Sequence, residues 1–272
     1  MDSYTGGVFF SDGEFISDSI LYRGKPPSLE KHIETLSGVY IYGGCLFAHF
    51  GHFIWESLSR LYTIRRCKNY PILFISPNEK IYNIQKLFFE SIGIENEILL
   101  VKYPTLIENL IYSSPGSSIS PLLITDEQNE SLKYYPFNEK NCKKIWLSRS
   151  KLKAGKIINE DFIEIELEKI GFDIVYPETL PLREQARLVS CSDIVAGFDG
   201  SQFFSVLFAK MIRAKYFIFN RRERMPKTVS YIFEKRNADF SIQTFDLEYI
   251  EGEGPSSNYY HPAPCKIVDI LK

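Results

Sequence analysis

The chain has 272 residues, of which 44% are hydrophobic and 24% charged. This is an ordinary globular composition, and the length suggests one large domain or two of about 130 residues each. The net charge of −2 gives no overall basic field, so we expect no nucleic-acid partner.

Three further features of the sequence indicate the cellular compartment of the protein. The five cysteines are scattered and show no CxxC spacing, which favours free thiols in a reducing environment over disulfides or a zinc site. The N-terminal stretch MDSYTGGVFF has neither the basic start nor the apolar core of a secretion signal. The uncharged run at residues 109–125 contains Pro115 and Pro121 and is therefore unsuited to spanning a membrane as a helix. We expect a cytoplasmic protein.

Strand and helix patterns alternate in the first half of the chain. The predicted elements are a strand at 38–42 ending at Gly43-Gly44, a helix at about 51–66, a buried strand at 71–75 bounded by Pro77-Asn78, an amphipathic helix at 81–92 stopped by Gly93, and strands at 97–101 and 106–112. A Ser/Pro/Gly stretch and a polar segment follow. They indicate a domain boundary near residues 126–143.

The second half repeats the alternation more regularly. The predicted elements are a strand at 144–148, a helix capped by Asn159 and ended by Gly171, a strand at 172–176, a helix at 181–191, a strand at 193–196, a helix at 201–210 and a strand at 216–219. Such alternation predicts an α/β fold in which crossover helices connect a parallel sheet.

Open parallel sheets bind ligands at the carboxyl ends of their strands. Ser148-Arg149, Tyr176-Pro-Glu178 and Gly197-Phe-Asp-Gly-Ser201 all follow predicted strands. A glycine-flanked turn into a helix offers backbone N–H groups to a phosphate, and Arg149 can add a bidentate contact. Taken singly, the turn is equally compatible with a plain strand-to-helix link and Arg149 with a surface ion pair. The basic run 221–227 is interpreted as a solvated surface, with an anion-binding patch as the alternative.

Two of the four histidines lie in the stretch His49-Phe-Gly-His-Phe-Ile-Trp-Glu-Ser-Leu-Ser-Arg-Leu-Tyr62. His52 and Glu56 are four residues apart and share a helix face if the stretch is helical. Glu56 can then orient His52 or act as a general base beside it. The alternative is a His–Glu pair at the start of an ordinary helix.

Two blocks of the chain resemble glycosyltransferase family 61. The first is the stretch from His49 to Tyr62, which is similar to the family's Gly-His-aromatic-x-x-acidic block with a following Leu-x-Arg-Leu. The second begins at Ile145-Trp-Leu-Ser-Arg149, continues through Asn159-Glu160 and Pro177-Glu-Thr-Leu, and ends beyond the glycine turn.

The resemblance implies a GT-B-like architecture, in which two Rossmann-like domains face each other across a cleft. We place the acceptor-side domain at residues 1–135 and the nucleotide-sugar-binding domain at 136–272. The resemblance further implies an inverting, metal-independent reaction with a nucleotide-sugar co-substrate, UDP-sugar being favoured, and no cofactor. The acceptor would be a glycan or lipid-linked glycan in capsule or surface polysaccharide biosynthesis. Peripheral contact with the inner face of the membrane and homo-oligomerisation are left open.

The resemblance also implies roles for individual residues. Glu56, or His52 polarised by Glu56, would be the catalytic base. Arg149 and Lys156 would face the donor phosphates, the glycine turn would be the phosphate loop, and the ribose and base would lie near the second predicted strand of this domain. The donor-binding set is Arg149, Lys156, Tyr176, Glu178, Glu184, Gly197, Asp199, Gly200, Ser201 and Gln202.

The chain departs from the family pattern at Asp199, where many members have a histidine that can hydrogen-bond a phosphate. A carboxylate against a diphosphate is repulsive, so we expect Asp199 to turn away or to bind a sugar hydroxyl. This departure favours a second hypothesis, a catalytically silent sugar-nucleotide-binding subunit of a polysaccharide assembly complex. A dinucleotide-dependent enzyme is disfavoured because no GxGxxG turn follows the first strand.

Overall fold

A computed structural model of the chain describes residues 6–19, 27–28, 30–76 and 80–272. The first five residues of the N-terminal stretch and the expected turn at Pro77-Asn78 lie outside this part. The chain divides into two compact units, Met1–Tyr134 and Tyr135–Lys272, which we call the first and the second unit.

The first unit is built around a parallel sheet. Its elements are a 3₁₀ turn (Ser17–Ser19), β1 (Glu34–Cys45), α1 (Phe50–His52), a π-helical turn (Phe53–Ser57), α2 (Leu61–Arg66), β2 (Ile72–Ile75), α3 (Asn83–Ser91), β3 (Ile98–Val101), β4 (Thr105–Ile111), β5 (Ser117–Ile119), β6 (Leu122–Ile124) and α4 (Asp126–Leu132). The strand order is β3-β2-β1-β4, and all neighbours are parallel. β5 and β6 form a small antiparallel hairpin.

The core of the first unit lies where α3 and the π-helical turn pack on the sheet. Phe53 meets Phe88 and Phe89 edge-on, with ring centroids 4.8 Å and 5.4 Å away, and Phe89 packs on Phe74 of β2. These aromatic side chains are buried because edge-to-face contacts fill the space between helix and sheet. The packing fixes the start of the helical stretch at the carboxyl end of β1.

The continuous helix predicted at residues 51–66 is wrong. The chain passes from α1 into a π-helical turn, leaves helical geometry at residues 58–60 and resumes as α2. The reason is that distant groups take the carbonyls a regular helix would use. The carbonyl of Trp55 accepts from Ser117 Oγ at 2.7 Å, that of Leu58 from Gln128 Nε2 at 2.7 Å, and that of Ser59 from the Gly116 N–H at 2.6 Å.

The second unit is a doubly wound α/β layer structure. Its elements are β7 (Asn141–Leu147), α5 (Glu160–Lys169), β8 (Phe172–Val175), a 3₁₀ turn (Pro177–Thr179), α6 (Leu182–Cys191), β9 (Ser192–Phe198), a 3₁₀ helix (Ser201–Phe208), β10 (Lys215–Phe219), α7 (Lys227–Lys235), β11 (Asp239–Gln243), β12 (Glu248–Glu251), a 3₁₀ turn (Gly254–Ser256), β13 (Asn258–Tyr260) and α8 (Cys265–Leu271). The five-stranded parallel sheet has the order β11-β10-β9-β7-β8, and β12 pairs antiparallel with β13.

Helices cover both faces of this sheet. On one face, α5 and α8 pack against an aromatic layer in which the Trp146 ring lies 5.3 Å from Phe198 and 5.8 Å from Phe219. On the other face, Phe233 of α7 packs on Tyr216 of β10 and on Phe203 of the 3₁₀ helix. Because both faces are buried, the central strands contain apolar runs, and the sequence pattern predicts β7, β8, β9 and β10. The edge strand β11 (Asp239–Gln243) mixes polar and apolar residues and was not predicted.

Two helix ends in the second unit differ from the prediction. Asn159 occupies the N-cap position of α5 but does not cap it, because its side-chain amide exchanges two hydrogen bonds with the backbone of His261, at 2.9 Å and 3.0 Å. The helix predicted at 201–210 is a 3₁₀ helix that stops at Phe208. It stops there because Ala209 turns extended and pairs with Tyr135, whose carbonyl accepts from the Lys210 N–H at 2.9 Å.

Candidate functional site

The strand order of the second unit defines where a ligand is expected. Numbered within the unit, β8-β7-β9-β10-β11 is the order 2-1-3-4-5, in which chain direction across the sheet reverses between β7 and β9. Doubly wound sheets bind ligands in the crevice at the carboxyl ends of the two strands that flank this reversal. Arg149 follows β7 and Asp199 follows β9, so both lie at this edge.

Arg149 is held firmly at this edge. Its Nε donates to the carbonyl of Gly155 at 3.0 Å, and its Nη1 donates to Gln202 Oε1 at 2.9 Å. Burial lowers the pKa of the guanidinium, while the carboxylates of Glu160 and Asp199 act in the opposite direction. The side chain is thus oriented by neutral acceptors, which leave its charge available to an anion.

Gly200 lies under the contact between Arg149 and Gln202. A Cβ at this position would lie 2.3 Å from Gln202 Oε1 and 2.7 Å from Arg149 Nη1, so a larger residue displaces the pair.

The other residues of the predicted glycine turn have separate structural roles. Gly197 lies inside β9, where a Cβ would approach the Leu147 carbonyl to 2.9 Å, so glycine is needed there for close packing of the neighbouring strand. Ser201 is half-buried at the start of the 3₁₀ helix. Gln202 also donates to the Phe198 carbonyl, at 2.6 Å.

Asp199 is buried, with 1% of its surface exposed, and it faces two arginines. Its Oδ1 accepts from the backbone N–H of Arg221 at 2.8 Å, and its carbonyl accepts from Arg221 Nε at 2.8 Å. Its Oδ2 lies 3.7 Å from Arg222 Nη2 and 3.9 Å from Arg221 Nε. The prediction that residues 221–227 form a solvated surface is therefore wrong for Arg221, which is only 6% exposed.

Arg221 and Arg222 are candidate site residues that the sequence analysis did not assign. They follow Asn220 in the loop after β10, so they reach the same sheet edge as Arg149. The pKa of the Arg221 guanidinium is lowered to about 10, mainly by burial and next by the positive charge of Arg149. The signal that could have identified them is their position immediately after a predicted strand.

A buried carboxyl group lies beneath Arg149. Glu160, at the first turn of α5, is 0% exposed, and its Oε1 accepts from Trp146 Nε1 and from the backbone N–H of Arg149, both at 3.0 Å. Burial raises the pKa of Glu160 to about 8, against the effect of these two hydrogen bonds. Glu160 therefore fixes the backbone from which the Arg149 side chain extends.

Lys156 and Tyr176 flank this region. The backbone of Lys156 bonds to Asn258 and Tyr259, and its side chain is half-buried. The Tyr176 hydroxyl donates to Glu164 Oε2 at 3.1 Å, and the Lys151 ammonium lies 3.4 Å from the centre of the Tyr176 ring. The pKa of the Tyr176 hydroxyl is raised, mainly by partial burial and next by the charge of the Glu164 carboxylate. The proposed contacts of both residues with a donor stay predictions.

The two other acidic residues of the predicted set lie in more exposed places. Glu178 is exposed in the 3₁₀ turn after β8. Glu184 lies on α6, where its two carboxylate oxygens accept from Arg187 at 2.5 Å and 2.8 Å. That ion pair is the main cause of the lowered pKa of Glu184. A ribose contact at Glu184 stays a prediction that requires Arg187 to share or release the carboxylate.

In the first unit, His52 and Glu56 contact each other. His52 Nδ1 lies 2.5 Å from Glu56 Oε2, across the junction between α1 and the π-helical turn. The His52 side chain is 26% exposed and that of Glu56 only 4%, so the imidazole is the more accessible partner. Single π-helical turns inside helices occur frequently at functional sites.

A small cavity adjoins Glu56 inside the first unit. Its volume is about 50 Å³. The residues that line it are Asp18, Ser19, Gly44, Cys45, Glu56, Ser59, Arg60, Pro115, Ser117 and Ser118. Burial, and next the Glu56 charge, raises the pKa of the Cys45 thiol to about 12, so this thiol is not a nucleophile at neutral pH. The cavity is large enough for water beside the Glu56 carboxylate.

The described residues offer neither a metal-binding cluster nor a membrane-spanning helix. Residues 6–19, 27–28, 30–76 and 80–272 contain no group of three or more His, Cys, Asp or Glu side chains that could hold a metal ion. Over the same ranges, no helix is both long and apolar enough to cross a membrane.

The fold and the site define an α/β protein with two parallel-sheet units and a cationic edge suited to anions. A model of the family Glycosyltransferase 61 matches residues 50–228, which is more than half of the chain and includes both His52 and Arg149. The chain belongs to glycosyltransferase family 61, and this membership supports a glycosyltransferase activity. No curated protein matches the chain.

Proposed function

We propose that the protein is an inverting, metal-independent glycosyltransferase that transfers a sugar from a nucleotide-sugar donor, with UDP-sugar favoured, to a glycan or lipid-linked glycan acceptor. In this proposal the second unit binds the donor, the first unit binds the acceptor, and the two face each other across a GT-B-like cleft. The reaction would serve capsule or surface polysaccharide biosynthesis at the cytoplasmic side of the membrane. The capsular setting rests on the sequence resemblance.

One observation carries the proposal. The Arg149 guanidinium is oriented by Gly155 and Gln202 at the strand reversal of a doubly wound sheet, and Arg149 is the residue that resembles the family's donor-phosphate contact. In the proposed reaction the acceptor oxygen attacks the anomeric carbon as the bond to the diphosphate breaks. Negative charge develops on the leaving phosphate, and a fixed cation lowers the energy of that transition state.

The geometry favours His52 as the catalytic base. Glu56 is buried and its Oε2 is occupied by His52 Nδ1, whereas the imidazole is partly exposed. A carboxylate on Nδ1 fixes the tautomer whose Nε2 accepts a proton, and it stabilises the imidazolium that results. In the proposal, His52 Nε2 takes the proton of the acceptor hydroxyl, and Glu56 orients and stabilises the ring.

The test starts with donor binding. Thermal unfolding is measured with UDP-, GDP-, CMP- and dTDP-sugars, because a ligand that binds only the folded protein raises the melting temperature. The donor that stabilises the protein is then offered with glycan acceptors, and nucleotide release and product stereochemistry are measured. Release of the nucleoside diphosphate from a UDP-, GDP- or dTDP-sugar, or of CMP from a CMP-sugar, with inversion at the anomeric carbon supports the proposal. Retention of configuration, or stabilisation by no donor, contradicts it.

A second candidate function is a catalytically silent sugar-nucleotide-binding subunit of a polysaccharide assembly complex. The observation that favours it is the buried Asp199 carboxylate, which faces Arg221 and Arg222 at a position where the sequence resemblance implies a histidine. Donor hydrolysis separates the two functions. A silent subunit binds the nucleotide sugar but releases no nucleotide from any donor, with or without acceptor.

A further inference from the structure

Asp199 and the two arginines after β10 form one charged group, in which Arg221 is hydrogen-bonded to Asp199 and Arg222 is paired with it by charge. Three contacts of 2.8 Å to 3.7 Å join Asp199 to Arg221 and Arg222: the Arg221 N–H to Oδ1, Arg221 Nε to the carbonyl, and Arg222 Nη2 to Oδ2. A buried carboxylate is costly unless cations and hydrogen bonds compensate it. Asp199 is therefore directed at these arginines.

The group carries more positive charge than Asp199 balances. Arg149 and Arg221 both direct a guanidinium nitrogen at the Gly155 carbonyl, at 3.0 Å and 3.5 Å, so the two side chains converge on one point. The charges of Arg149 and Arg222 each help to lower the pKa of Arg221, which shows that the three cations are close enough to repel each other. The three guanidinium groups and the Asp199 carboxylate together carry a surplus of two positive charges, which a dianion can balance. Glu178 also acts on Arg149, but Glu178 is exposed, so solvent screens its charge.

Two buried atoms of the group have no hydrogen-bond partner among the described residues. They are Nε of Arg222 and Oδ2 of Asp199. Buried polar atoms in folded proteins nearly always have a partner, so an unsatisfied donor on an arginine indicates a water molecule or a ligand. Arg222 is also partly accessible, with 19% of its side chain exposed, so it can meet a ligand that enters from solvent.

We propose that Arg221 and Arg222 bind the donor diphosphate together with Arg149, and that Asp199 is the positioning residue that holds the two arginines in place. This inference rests on the proposed function, in which the second unit binds a nucleotide sugar. Asp199 then does not oppose the phosphates, because the arginine side chains it holds supply the cationic contacts. The positive charge comes from the end of β10 in place of the histidine that the sequence resemblance implies at position 199.

The first test removes the charge of Arg222. Binding of inorganic pyrophosphate and of UDP is measured by isothermal titration calorimetry for the wild type, Arg222→Gln and Arg224→Gln. Arg224 is the matched control because it is exposed in the same basic segment. We expect Arg222→Gln to weaken both ligands about 10-fold or more, the scale of a lost hydrogen bond to a charged group, and Arg224→Gln to change them less than about twofold. Equal effects of the two substitutions overturn the inference.

The second test addresses Asp199 through a double-mutant cycle. Asp199→Asn keeps the acceptor for the Arg221 N–H but removes the charge that attracts Arg222. If Asp199 positions Arg222, Arg222→Gln costs at most about threefold in affinity in the Asp199→Asn background. The same cost in both backgrounds contradicts the positioning role. Should Asp199→Asn fail to fold, Asp199→Ser replaces it in the cycle, because serine also removes the charge that attracts Arg222 and keeps a hydroxyl acceptor.

The failure of this inference is distinguishable from the failure of the proposed function. A wild-type protein that binds neither pyrophosphate nor any of UDP, GDP and dTDP contradicts the proposed donor site itself. A wild-type protein that binds UDP with no difference between Arg222→Gln and Arg224→Gln retains the donor site and excludes Arg222 from it.

Discussion

Gln202 Oε1 accepts a hydrogen bond from Arg149 Nη1 at 2.9 Å, and this contact passes directly over Gly200. Two loops that follow different strands are joined by this single bond. This contact explains the glycine at position 200. The backbone there is not left-handed, so glycine is needed only because the Arg149 and Gln202 side chains occupy the space that a Cβ would take.

We expect Gly200→Ala to weaken nucleotide binding about 10-fold, because the added Cβ displaces Gln202 and with it the Arg149 guanidinium. The displaced atoms are the ends of flexible side chains, so the fold should survive. The dissociation constant of UDP, measured by calorimetry, checks this. Gly171→Ala is the matched control: Gly171 has φ +86° and open space around it, so that variant should lose stability but keep UDP affinity. Unchanged affinity in Gly200→Ala contradicts the account.

Glu56→Gln should keep donor binding and lower kcat roughly 100-fold, because the amide no longer stabilises the protonated His52. His52→Gln should lower kcat by a similar factor. The double variant should be little worse than either single one, since the two side chains act as a unit. Single-turnover kinetics and UDP calorimetry measure the two effects separately. His32, exposed in the first unit, provides the control His32→Gln. Wild-type turnover in Glu56→Gln would remove this residue from the mechanism.

The raised pKa of Glu160 makes stability depend on pH. The folded state keeps the proton up to a pH of about 8, whereas the unfolded chain loses it near 4.5, so the group's contribution is complete below pH 4.5 and is lost as the pH rises to 8. Relative to Glu160→Gln, the wild type should lose on the order of a few kcal/mol of unfolding free energy between pH 5 and pH 8.5.

Urea unfolding of both proteins at the two pH values measures this difference. Glu168→Gln, on the exposed side of the same helix, is the control and should follow the wild type. Parallel pH dependence of the wild type and Glu160→Gln would show that Glu160 is ionised in the folded protein over this range.

The break between α1 and α2 should depend on Gln128. This side chain is fully buried, and its Nε2 donates to the Leu58 carbonyl while its Oε1 accepts from the Tyr62 N–H at 3.3 Å. Gln128→Ala leaves both backbone groups without this partner and should cost about 1–3 kcal/mol in stability. Chemical denaturation measures the loss, and Glu130→Ala on the exposed side of α4 provides the comparison. A loss no larger than that of Glu130→Ala would contradict the explanation given for the break.

The sequence predicted those parts of the fold that local patterns determine. Four of the five parallel strands of the second unit contain apolar runs and were predicted, whereas the mixed edge strand β11 was not. Gly171, with φ +86°, ends α5 where expected. The interrupted helix at residues 53–60 was not predictable in this way, because the groups that cause it lie at residues 116–128. Helical periodicity depends only on residues that are close in the sequence, so it contains no information about these distant partners.

In the candidate site, too, contacts between residues close in the sequence were predictable, whereas those between distant residues were not. His52 and Glu56 are four residues apart, so their contact follows from spacing. The burial of Arg221 does not, because its partner Asp199 is 22 residues away and the charged run around Arg221 resembles a solvated surface. Only the shared sheet edge relates the two, and that edge is known once the strand order is known.

The central claim is that the second unit holds the leaving diphosphate while the first unit supplies the base. A crystal structure of the protein with UDP bound tests this most directly. The account predicts the β-phosphate against the Arg149 guanidinium, with His52 Nε2 facing it across a space that accommodates one sugar ring. Phosphates bound away from Arg149, or a His52 ring that opens onto solvent unconnected with the nucleotide, would contradict it.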